Sequence, residues 1–414
     1  MILNAKNEEW KYLRTLLSPN FSAKKLKEMQ PLIKTAADNL EEACDNIAKT
    51  GEDVDVSHLF GCYTMDVIAT TAFGVEVNSQ KNPDNPFVKN ATYLVRRSRF
   101  KSTFVISFIS RKFFKFLLFT RVVATRSRQF FYDLCKKILA DRKRTNGQFR
   151  KDLLQLMIDQ QNDFTEEQPE KNAKNDDVKN DDANNGNTVN GDATNDDVPI
   201  PTKLVKRKLT DEEIIAQSII FFMAGYETTA TTLSFMAHLL ALHEDIQDKV
   251  YQEIQSVIGK KTLDYDGVQK LAYLSQCVSE TLRLYPIANS ILRKSKKQIT
   301  IKNWTIPAKI GINIPVYALH HNPKYWPDPE KFDPDRFSEE AQKTHTKFAY
   351  LPFGAGPRIC IGMRLGLMEI KFAMAEILTK YKFVPTEKTE NPIILNNQSL
   401  LSAKNGIWLK LERR

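Results

Sequence analysis

The 414-residue chain has 42% hydrophobic residues, a formal net charge of +10 and five cysteines. Its length and apolar content exclude a small scaffold that depends on disulfides, and they suffice for a large core. No two cysteines form a CxxC pair, which argues against a zinc site or a disulfide framework, and no apolar run of about 20 residues predicts a membrane-spanning helix.

The first elements along the chain are predicted to be helices. Residues 8–50 have a helical pattern that breaks at Ser18-Pro19-Asn20, and a second helix around Phe60–Phe73 ends at Gly74. Further helices are predicted at Arg126–Arg144 and Leu153–Ile158.

A phenylalanine-rich segment, Phe104–Phe119, lies between these helices and contains Arg111, Lys112 and Lys115. The mixture of large apolar and basic residues predicts either a segment that dips into a lipid interface or a basic amphipathic core helix.

An acidic segment follows. Residues 163–200 carry eleven acidic residues and three lysines, a local charge of −8, which leaves +18 for the remainder because the whole chain carries +10. A surface so basic suits nucleic acid, anionic lipid or an acidic protein, and the lack of a nucleic-acid motif favours the last two. Residues 171–198 contain no aromatic residue, Leu, Ile or Met, so we predict that 163–205 is a disordered, Asn- and Asp-rich insertion within one domain.

A long helix is predicted from Asp211 to Leu242, because Thr210 and Glu213 form a capping-box pattern at its start. Its middle, Ala224–Thr229, places small, acidic and hydroxyl residues in an otherwise apolar helix. One interpretation is a loosened helix or a close helix crossing at Gly225. The other is a groove against a bound cofactor, in which Thr228 and Glu227 handle protons.

The next well-defined helix is predicted to carry Glu280 and Arg283 and to stop at Pro286. A Glu/Arg pair at this spacing is usually a surface contact of roughly 0.2 to 0.5 kcal/mol. The segment Trp304–His321 then predicts short strands, and a proline-rich irregular stretch ends near Arg336. Such a stretch needs an anchor, which Arg336 provides if it joins Glu280 and Arg283 in a buried network.

The segment Phe353–Gly362 predicts a loop that holds Cys360 as an anionic ligand to haem iron. A thiolate ligand needs backbone N–H groups aimed at its sulfur and a positive environment. Gly354 and Gly356 permit close backbone approach, and Arg358 supplies a cation. Apolar spacing after the cysteine predicts a helix whose N-terminus stabilises the anion. The alternative is a buried structural cysteine followed by a core helix.

The other four cysteines lie in apolar or helical contexts and are predicted to be core residues. No CxxCH motif is present, so a haem would be held without thioether bonds.

Four motifs in this order resemble those of the cytochromes P450: Ala224-Gly225-Tyr226-Glu227-Thr228, Glu280-x-x-Arg283, Pro334-Asp335-Arg336-Phe337 and the Cys360 loop. Other segments are similar to the animal group that includes vertebrate drug- and steroid-oxidising enzymes and thromboxane synthase: Leu17-Ser-Pro19, Gln217-Ser-Ile-Ile220, Tyr317-Ala-Leu-His320 and Pro323-Lys-Tyr-Trp326. The resemblance covers nearly the whole chain outside the insertion. It implies a mainly α fold with small β-sheets, as a single haem domain over residues 1–414.

Members of that family begin with a membrane anchor, a sheet and helices before the helix that carries a Trp-x-x-x-Arg motif. Here that motif, Trp10 to Arg14, lies close to Met1. We therefore expect a P450 fold that lacks the anchor, the first helices and the first sheet strands.

The resemblance also implies residue roles. Cys360 is the axial ligand of a non-covalent haem b; Arg358, Arg293, Trp10 and Arg14 bind its propionates, and Phe353 belongs to the same cofactor site. Thr228 and Glu227 are the catalytic pair. The structural network comprises Glu280, Arg283 and Arg336, and the weaker substrate contacts are Met223, Ala224, Ala288, Asn289 and Leu401.

The implied activity is monooxygenation of a small lipophilic substrate, such as a xenobiotic, a steroid or a fatty-acid-like molecule, with O₂. Electrons come from NADPH-cytochrome P450 reductase, with cytochrome b5 as an accessory candidate, and no nucleic-acid partner is expected. The implied location is the cytoplasmic face of the endoplasmic reticulum membrane.

Two alternatives remain at this point. One is a peroxide isomerase of the thromboxane-synthase type, in which an aliphatic residue stands where this chain has Thr228. The other is a truncated, catalytically dead protein that binds haem poorly.

Overall fold

The computed structural model describes residues 1–3, 5–99, 125–145, 152–163, 208–259, 262–396 and 400–414. The Phe104–Phe119 segment lies outside the described residues. So does the expected insertion, residues 163–205, apart from its first residue.

The fold is mainly helical with small antiparallel sheets, which confirms the predicted fold class. The helices are α1 Asn7–Leu17, α2 Ala23–Thr50, α3 Val56–Ile68, α4 Pro86–Arg99, α5 Thr125–Thr145, α6 Leu153–Asp163, α7 Asp211–Leu242, α8 Glu244–Val257, α9 Tyr265–Gln269, α10 Ala272–Leu284, α11 Val316–His320, α12 Glu339–Gln342 and α13 Met363–Lys380. The strands are β1 Val54–Asp55, β2 Ile291–Lys294, β3 Ile299–Ile301, β4 Trp304–Ile306, β5 Gly311–Ile314, β6 Tyr381–Pro385 and β7 Trp408–Arg413.

The sheets are small because the strands are short. One sheet has the order β1-β7-β6, and the others are the pairs β2-β5 and β3-β4, all antiparallel. In the β3-β4 hairpin, Ile301 pairs with Trp304 across a two-residue turn.

The N-terminal helices follow the predicted breaks. Ser18–Phe21 forms a 3₁₀ turn between α1 and α2, where Pro19 lacks the N–H that a continuous helix requires. Helix α3 runs on into a π-helical turn over Ala69–Phe73. That turn ends at Gly74, which has φ 68°, a left-handed conformation that glycine adopts without penalty.

Helix α7 runs through the core, packed against α3, α13 and β6. Its start has the predicted capping box, since the Thr210 hydroxyl accepts from the Glu213 N–H and the Glu213 carboxylate accepts from the Thr210 N–H. Most of its residues are buried on all sides, which is typical of a helix at the centre of a large domain.

Two local expectations were wrong. The helix that carries Glu280 is not the next well-defined helix after Leu242, because α8 begins at Glu244 and buries Val250 and Ile254 beneath a polar surface. In addition, residues expected to form strands before His321 form the short helix α11 instead.

No helix among the described residues is both long enough and apolar enough to cross a bilayer.

Candidate active site

The Cys360 loop folds back on itself before α13. Gly354 and Gly356 have φ of 76° and 72°, conformations that disfavour residues with a Cβ. The Cys360 N–H donates to the Phe353 carbonyl over 3.0 Å, which closes the loop. Cys360 itself lies two residues before Gly362, the N-cap of α13.

The Cys360 side chain has surroundings unlike those of the other cysteines. It is exposed although protein surrounds the thiol on most sides, whereas Cys44, Cys62, Cys135 and Cys277 are buried. Burial raises the pKa of the Cys360 thiol, and the Gly362 N–H and the charge of Arg14 oppose that rise. The loop therefore offers a sulfur with a donor and a cation beside it, as a thiolate ligand requires.

Arginines surround this loop. The Arg14 guanidinium donates to the Ile359 carbonyl over 2.9 Å, and burial lowers its pKa while the nearby Cys360 acts to raise it. The Arg358 guanidinium stacks over the Trp10 ring, 4.2 Å from the ring centroid, and lies 3.5 Å from the Ala5 carbonyl. Helix α1 thus brings Trp10 and Arg14 to the loop from more than 340 residues away in sequence.

Arg293 joins this group from strand β2. Burial lowers the pKa of Arg358, and the charge of Arg293 lowers it further, so the two cations lie near each other. Within the described ranges, the ion pairs of the structure include none with Arg14, Arg293 or Arg358. Cations gathered without a carboxylate partner suit an anionic ligand, and the two propionates of a haem have that chemistry.

A cavity of about 420 Å³ lies beside Arg293. Its lining includes Ile291 of β2, Leu351 and Ala355 of the segment that leads to Cys360, and Lys347. The lining is largely apolar with two basic side chains, so it extends the cationic surroundings of the loop.

Helix α7 has one open segment. Although most of the helix is buried, Ala224 is exposed and its neighbours from Met223 to Thr228 are half-buried. The Thr228 hydroxyl donates to the Ala224 carbonyl over 2.7 Å, so its lone pairs remain as acceptors. The second interpretation of this motif, a groove beside a cofactor, requires such an open segment and stays a prediction.

The first interpretation included a close helix crossing at Gly225, and such a crossing is present. A Cβ there would lie 2.9 Å from Cδ1 of Ile68, so α3 and α7 approach closely because residue 225 has no side chain. The segment therefore has a packing face towards α3 and an open face on another side.

The Glu280–Arg283 pair is fully buried and is not the usual surface pair. Glu280 and Arg283 are both 0% exposed and make two hydrogen bonds of 2.7 and 2.8 Å. Arg283 also donates to the carbonyls of His320 and Lys331. The Arg336 Nε lies 3.4 Å from the Glu280 carboxylate without hydrogen-bond geometry. Burial raises the pKa of Glu280, while Arg283 opposes that rise.

The expected substrate contacts fall in two places. Met223 and Ala224 lie on the open segment of α7. Ala288 and Asn289 follow α10, where Ala288 forms an isolated bridge with Leu400 and the Leu401 N–H donates to the Ile287 carbonyl over 2.8 Å. Leu401 is buried, and the Asn289 carbonyl accepts the Tyr317 N–H over 3.1 Å. The structure thus brings the residues around 288 and 401 together.

Sequence reasoning missed Glu369, nine residues after Cys360 on α13. Burial raises the pKa of its carboxyl to about 8, while the Thr229 hydroxyl acts to lower it. Its carbonyl also accepts the Tyr63 hydroxyl over 3.0 Å. The feature of the sequence that could have identified Glu369 is an acidic residue within the largely apolar stretch that forms α13.

Comparison with known proteins shows which family this chain resembles over nearly its whole length. A family model described as Cytochrome P450 matches residues 1–184 and 195–411. The chain is 39% identical to cytochrome P450 3A14 of Cavia porcellus and to cytochrome P450 3A7 of Homo sapiens, with 99% of this chain and 75% of each relative aligned. It is also 39% identical to cytochrome P450 3A2 of Rattus norvegicus, with 98% of this chain and 74% of that relative aligned.

Proposed function

The chain belongs to the cytochrome P450 family, and on that basis we propose how its own residues serve the haem-dependent monooxygenation of a lipophilic substrate. The enzyme class, an oxidoreductase that uses haem, follows from the family and its relatives. Our proposal adds that the haem is haem b, that residues 1–414 form one haem domain with 163–205 as an insertion in it, and that NADPH-cytochrome P450 reductase donates the electrons. Cytochrome b5 is proposed as an accessory donor.

One observation carries the proposal: Cys360 is exposed in a loop that contains Arg358 and lies beside Arg14 and Arg293, while the other four cysteines are buried. When bound, the haem supplies the chemistry of oxygen activation, which a thiolate ligand favours by donating electron density. Cys360 is the proposed ligand. The Gly362 N–H and the charge of Arg14 stabilise its anionic form.

The arginines and Trp10 are proposed to hold the propionates. Arg358 and Arg293 lie close together, so a carboxylate between them relieves their repulsion. Arg14 is tied to the loop itself through the Ile359 carbonyl. Phe353 is proposed to line the same site, since its carbonyl holds the Cys360 N–H.

Thr228 and Glu227 are proposed to manage protons at the open segment of α7. Because the Thr228 hydroxyl proton is directed at the Ala224 carbonyl, its oxygen accepts a hydrogen bond from water in the groove. Glu227 is the adjacent acid and supplies a route for protons from solvent.

The substrate is proposed to be a xenobiotic, a steroid or a fatty-acid-like molecule. The proposed contacts are Met223 and Ala224 on α7, Ala288 and Asn289 after α10, and Leu401, which is paired to that segment. Apolar side chains dominate this set, as a lipophilic ligand requires.

We also propose that the protein works at the cytoplasmic surface of the endoplasmic reticulum membrane. The β3-β4 hairpin supports this proposal. Trp304 is 77% exposed and Ile301, its partner across the strands, is 56% exposed. The lysines in and beside the hairpin are Lys296, Lys297, Lys302 and Lys309. An apolar tip with a basic rim suits an anionic lipid surface.

Replacement of Cys360 tests the proposed ligand. In the haem-loaded chain, the reduced carbon monoxide complex is expected to show the red-shifted Soret band of thiolate ligation, and Cys360→His should abolish that band because imidazole is not an anionic sulfur donor. Cys62→Ser is the matched control, since Cys62 is a buried thiol outside the loop. Loss of the band in Cys62→Ser, or its survival in Cys360→His, would contradict the assignment.

A further inference from the structure

Helix α3 carries two adjacent buried hydroxyl residues that reach two different helices. The Tyr63 hydroxyl donates to the Glu369 carbonyl of α13 over 3.0 Å. The Thr64 hydroxyl lies 2.9 Å from the Tyr226 carbonyl of α7. Successive residues on a helix point about 100° apart, so neighbours in sequence can serve two neighbouring helices.

The Thr64 hydroxyl lies within hydrogen-bond distance of three carbonyl oxygens. Carbonyls of its own helix, those of Phe60 and Gly61, lie 3.0 and 3.2 Å away, and the Tyr226 carbonyl is the nearest of the three. A hydroxyl has one proton to donate. Thr64 is 0% exposed, so water does not supply a fourth option. The Tyr226 carbonyl of α7 therefore shares this proton with the carbonyls of the helix that carries Thr64.

Helices α7 and α13 are also joined directly. The Thr229 hydroxyl acts to lower the pKa of the Glu369 carboxyl, so the two groups face each other, and a Cβ on Gly366 would lie 3.7 Å from the same hydroxyl. Glu369 thus accepts the Tyr63 hydroxyl of α3 at its backbone carbonyl and faces Thr229 of α7 with its side chain. We call Tyr63, Thr64, Thr229 and Glu369 the three-helix junction.

The junction involves residues that are close in sequence to Thr228 and to the Cys360 loop. Tyr226 lies two residues before Thr228, and Thr229 directly follows Thr228. Helix α13 begins at Met363, directly after the Cys360 loop. The pairs α3–α13 and α3–α7 are each tied by a buried hydroxyl, and Thr229 brings a third buried hydroxyl to the contact of α7 with α13.

We propose that the three-helix junction holds the open segment of α7 at a fixed position relative to the Cys360 loop, with Thr64 as a positioning residue for Thr228. This inference rests on the proposed function of Thr228 and extends it to residues that touch neither haem nor substrate. Thr64 acts on the backbone of α7 at the Tyr226 carbonyl, which in a regular helix also accepts the Ala230 N–H.

The test compares three variants of the haem-loaded full chain. Thr64→Val keeps the shape and removes the hydroxyl, and Thr64→Ser keeps the donor. Thr71→Val is the matched control, because Thr71 is equally buried and its hydroxyl bonds only to Val67 within the same chain segment.

The first readout is hydrogen exchange of the α7 amides that follow Tyr226. Removal of one net hydrogen bond is expected to speed their exchange about fivefold in Thr64→Val. Thr64→Ser and Thr71→Val should leave the exchange of α7 unchanged. The second readout is hydrogen peroxide released per NADPH oxidised in the presence of reductase, which should rise in Thr64→Val alone.

Equal exchange in Thr64→Val and Thr71→Val, or faster exchange confined to α3, would overturn the proposal. The role of Thr228 can fail separately, namely if Thr228→Ala leaves peroxide release unchanged. In that case the exchange of the α7 amides still decides whether the junction holds the open segment.

Discussion

Thr228 shows how a single hydroxyl can have both a structural and a chemical part. Its hydrogen bond to the Ala224 carbonyl, 2.7 Å long, is the ordinary one for a threonine inside a helix. What distinguishes it is its place on the open segment, since Ala224 is exposed where the flanking turns of α7 are buried. Its acceptor lone pairs are therefore proposed to bind water on that side of the helix.

Thr228→Ala is expected to retain haem and to bind substrate, because neither depends on the hydroxyl. Product formation should fall on the order of a hundredfold, as is usual when a proton-handling group is lost. Reducing equivalents should appear as hydrogen peroxide instead. The measurement is the ratio of peroxide and product to NADPH consumed.

Ser234→Ala is the control for Thr228→Ala. The Ser234 hydroxyl donates to the Ala230 carbonyl in the same way, over 2.7 Å, but the residue is buried. If both variants change the ratio equally, the effect comes from altered α7 structure and the proton-handling role is refuted.

At the scale of elements, the close approach of α3 and α7 decides where the open segment of α7 can lie. Gly225 permits that approach, since a Cβ there would meet Ile68 at 2.9 Å and Ile68 is itself buried. The Thr64 hydrogen bond to Tyr226 lies at the same crossing. Steric fit and hydrogen bonding thus act on the same turn of α7.

Gly225→Ala is expected to destabilise the protein despite the better helix propensity of alanine. The propensity gain is about 1 kcal/mol, whereas overpacking in a filled core costs about 1 to 3 kcal/mol. The midpoint of thermal unfolding, followed by circular dichroism, should fall.

Ile68→Val checks the cause of that loss, because it removes the Cδ1 atom that the new Cβ would meet. Gly225→Ala should cost less in the Ile68→Val background than in the native chain, a coupling of about 1 kcal/mol for residues in direct contact. Strictly additive losses would mean that the clash at Ile68 is not the reason.

At the scale of the whole molecule, the net charge and the exposed apolar surface both favour the proposed binding to an anionic lipid surface. The chain carries +10 overall, and the β3-β4 hairpin presents Trp304 and Ile301 on one face because the two residues are paired across the strands. Scattered exposed apolar residues are normal, but here they are grouped among lysines.

The protein is expected to bind vesicles that contain phosphatidylserine better than vesicles of phosphatidylcholine alone. Trp304→Ser should weaken that binding several-fold because the apolar tip is lost. Raising the salt to about 1 M, where the Debye length is about 3 Å, should weaken it as well. Vesicle sedimentation measures each effect.

Phe348→Ser is the control for Trp304→Ser. Phe348 is 60% exposed and has Lys347 5.3 Å from its ring centroid, but it lies outside the hairpin. If Phe348→Ser reduced vesicle binding as much as Trp304→Ser, a general loss of exposed aromatic surface would explain the result and the hairpin would have no special role.

Features that depend on near neighbours in the chain could be read from the sequence. Gly74 ends its helix, Thr210 and Glu213 form a capping box, and the glycines before Cys360 turn the loop, because the atoms involved lie within a few residues of one another. The Cys360 loop and the helix after it could also be read, since they are continuous in sequence, whereas the role of Cys360 as a haem ligand stays a prediction. Helix α8 was missed because its polar surface hides a narrow buried stripe.

Other features arise only when distant segments meet. The Glu280 pair resembles a surface contact in sequence, and it is buried because the segments around His320 and Lys331 close over it. The sequence marks Glu369 only as an acid in an apolar stretch and gives no sign of its neighbours, since Tyr63 and Thr229 come from two other helices. Tertiary packing places these groups away from water, and burial is what turns an ordinary carboxyl or hydroxyl into a partner that must be satisfied.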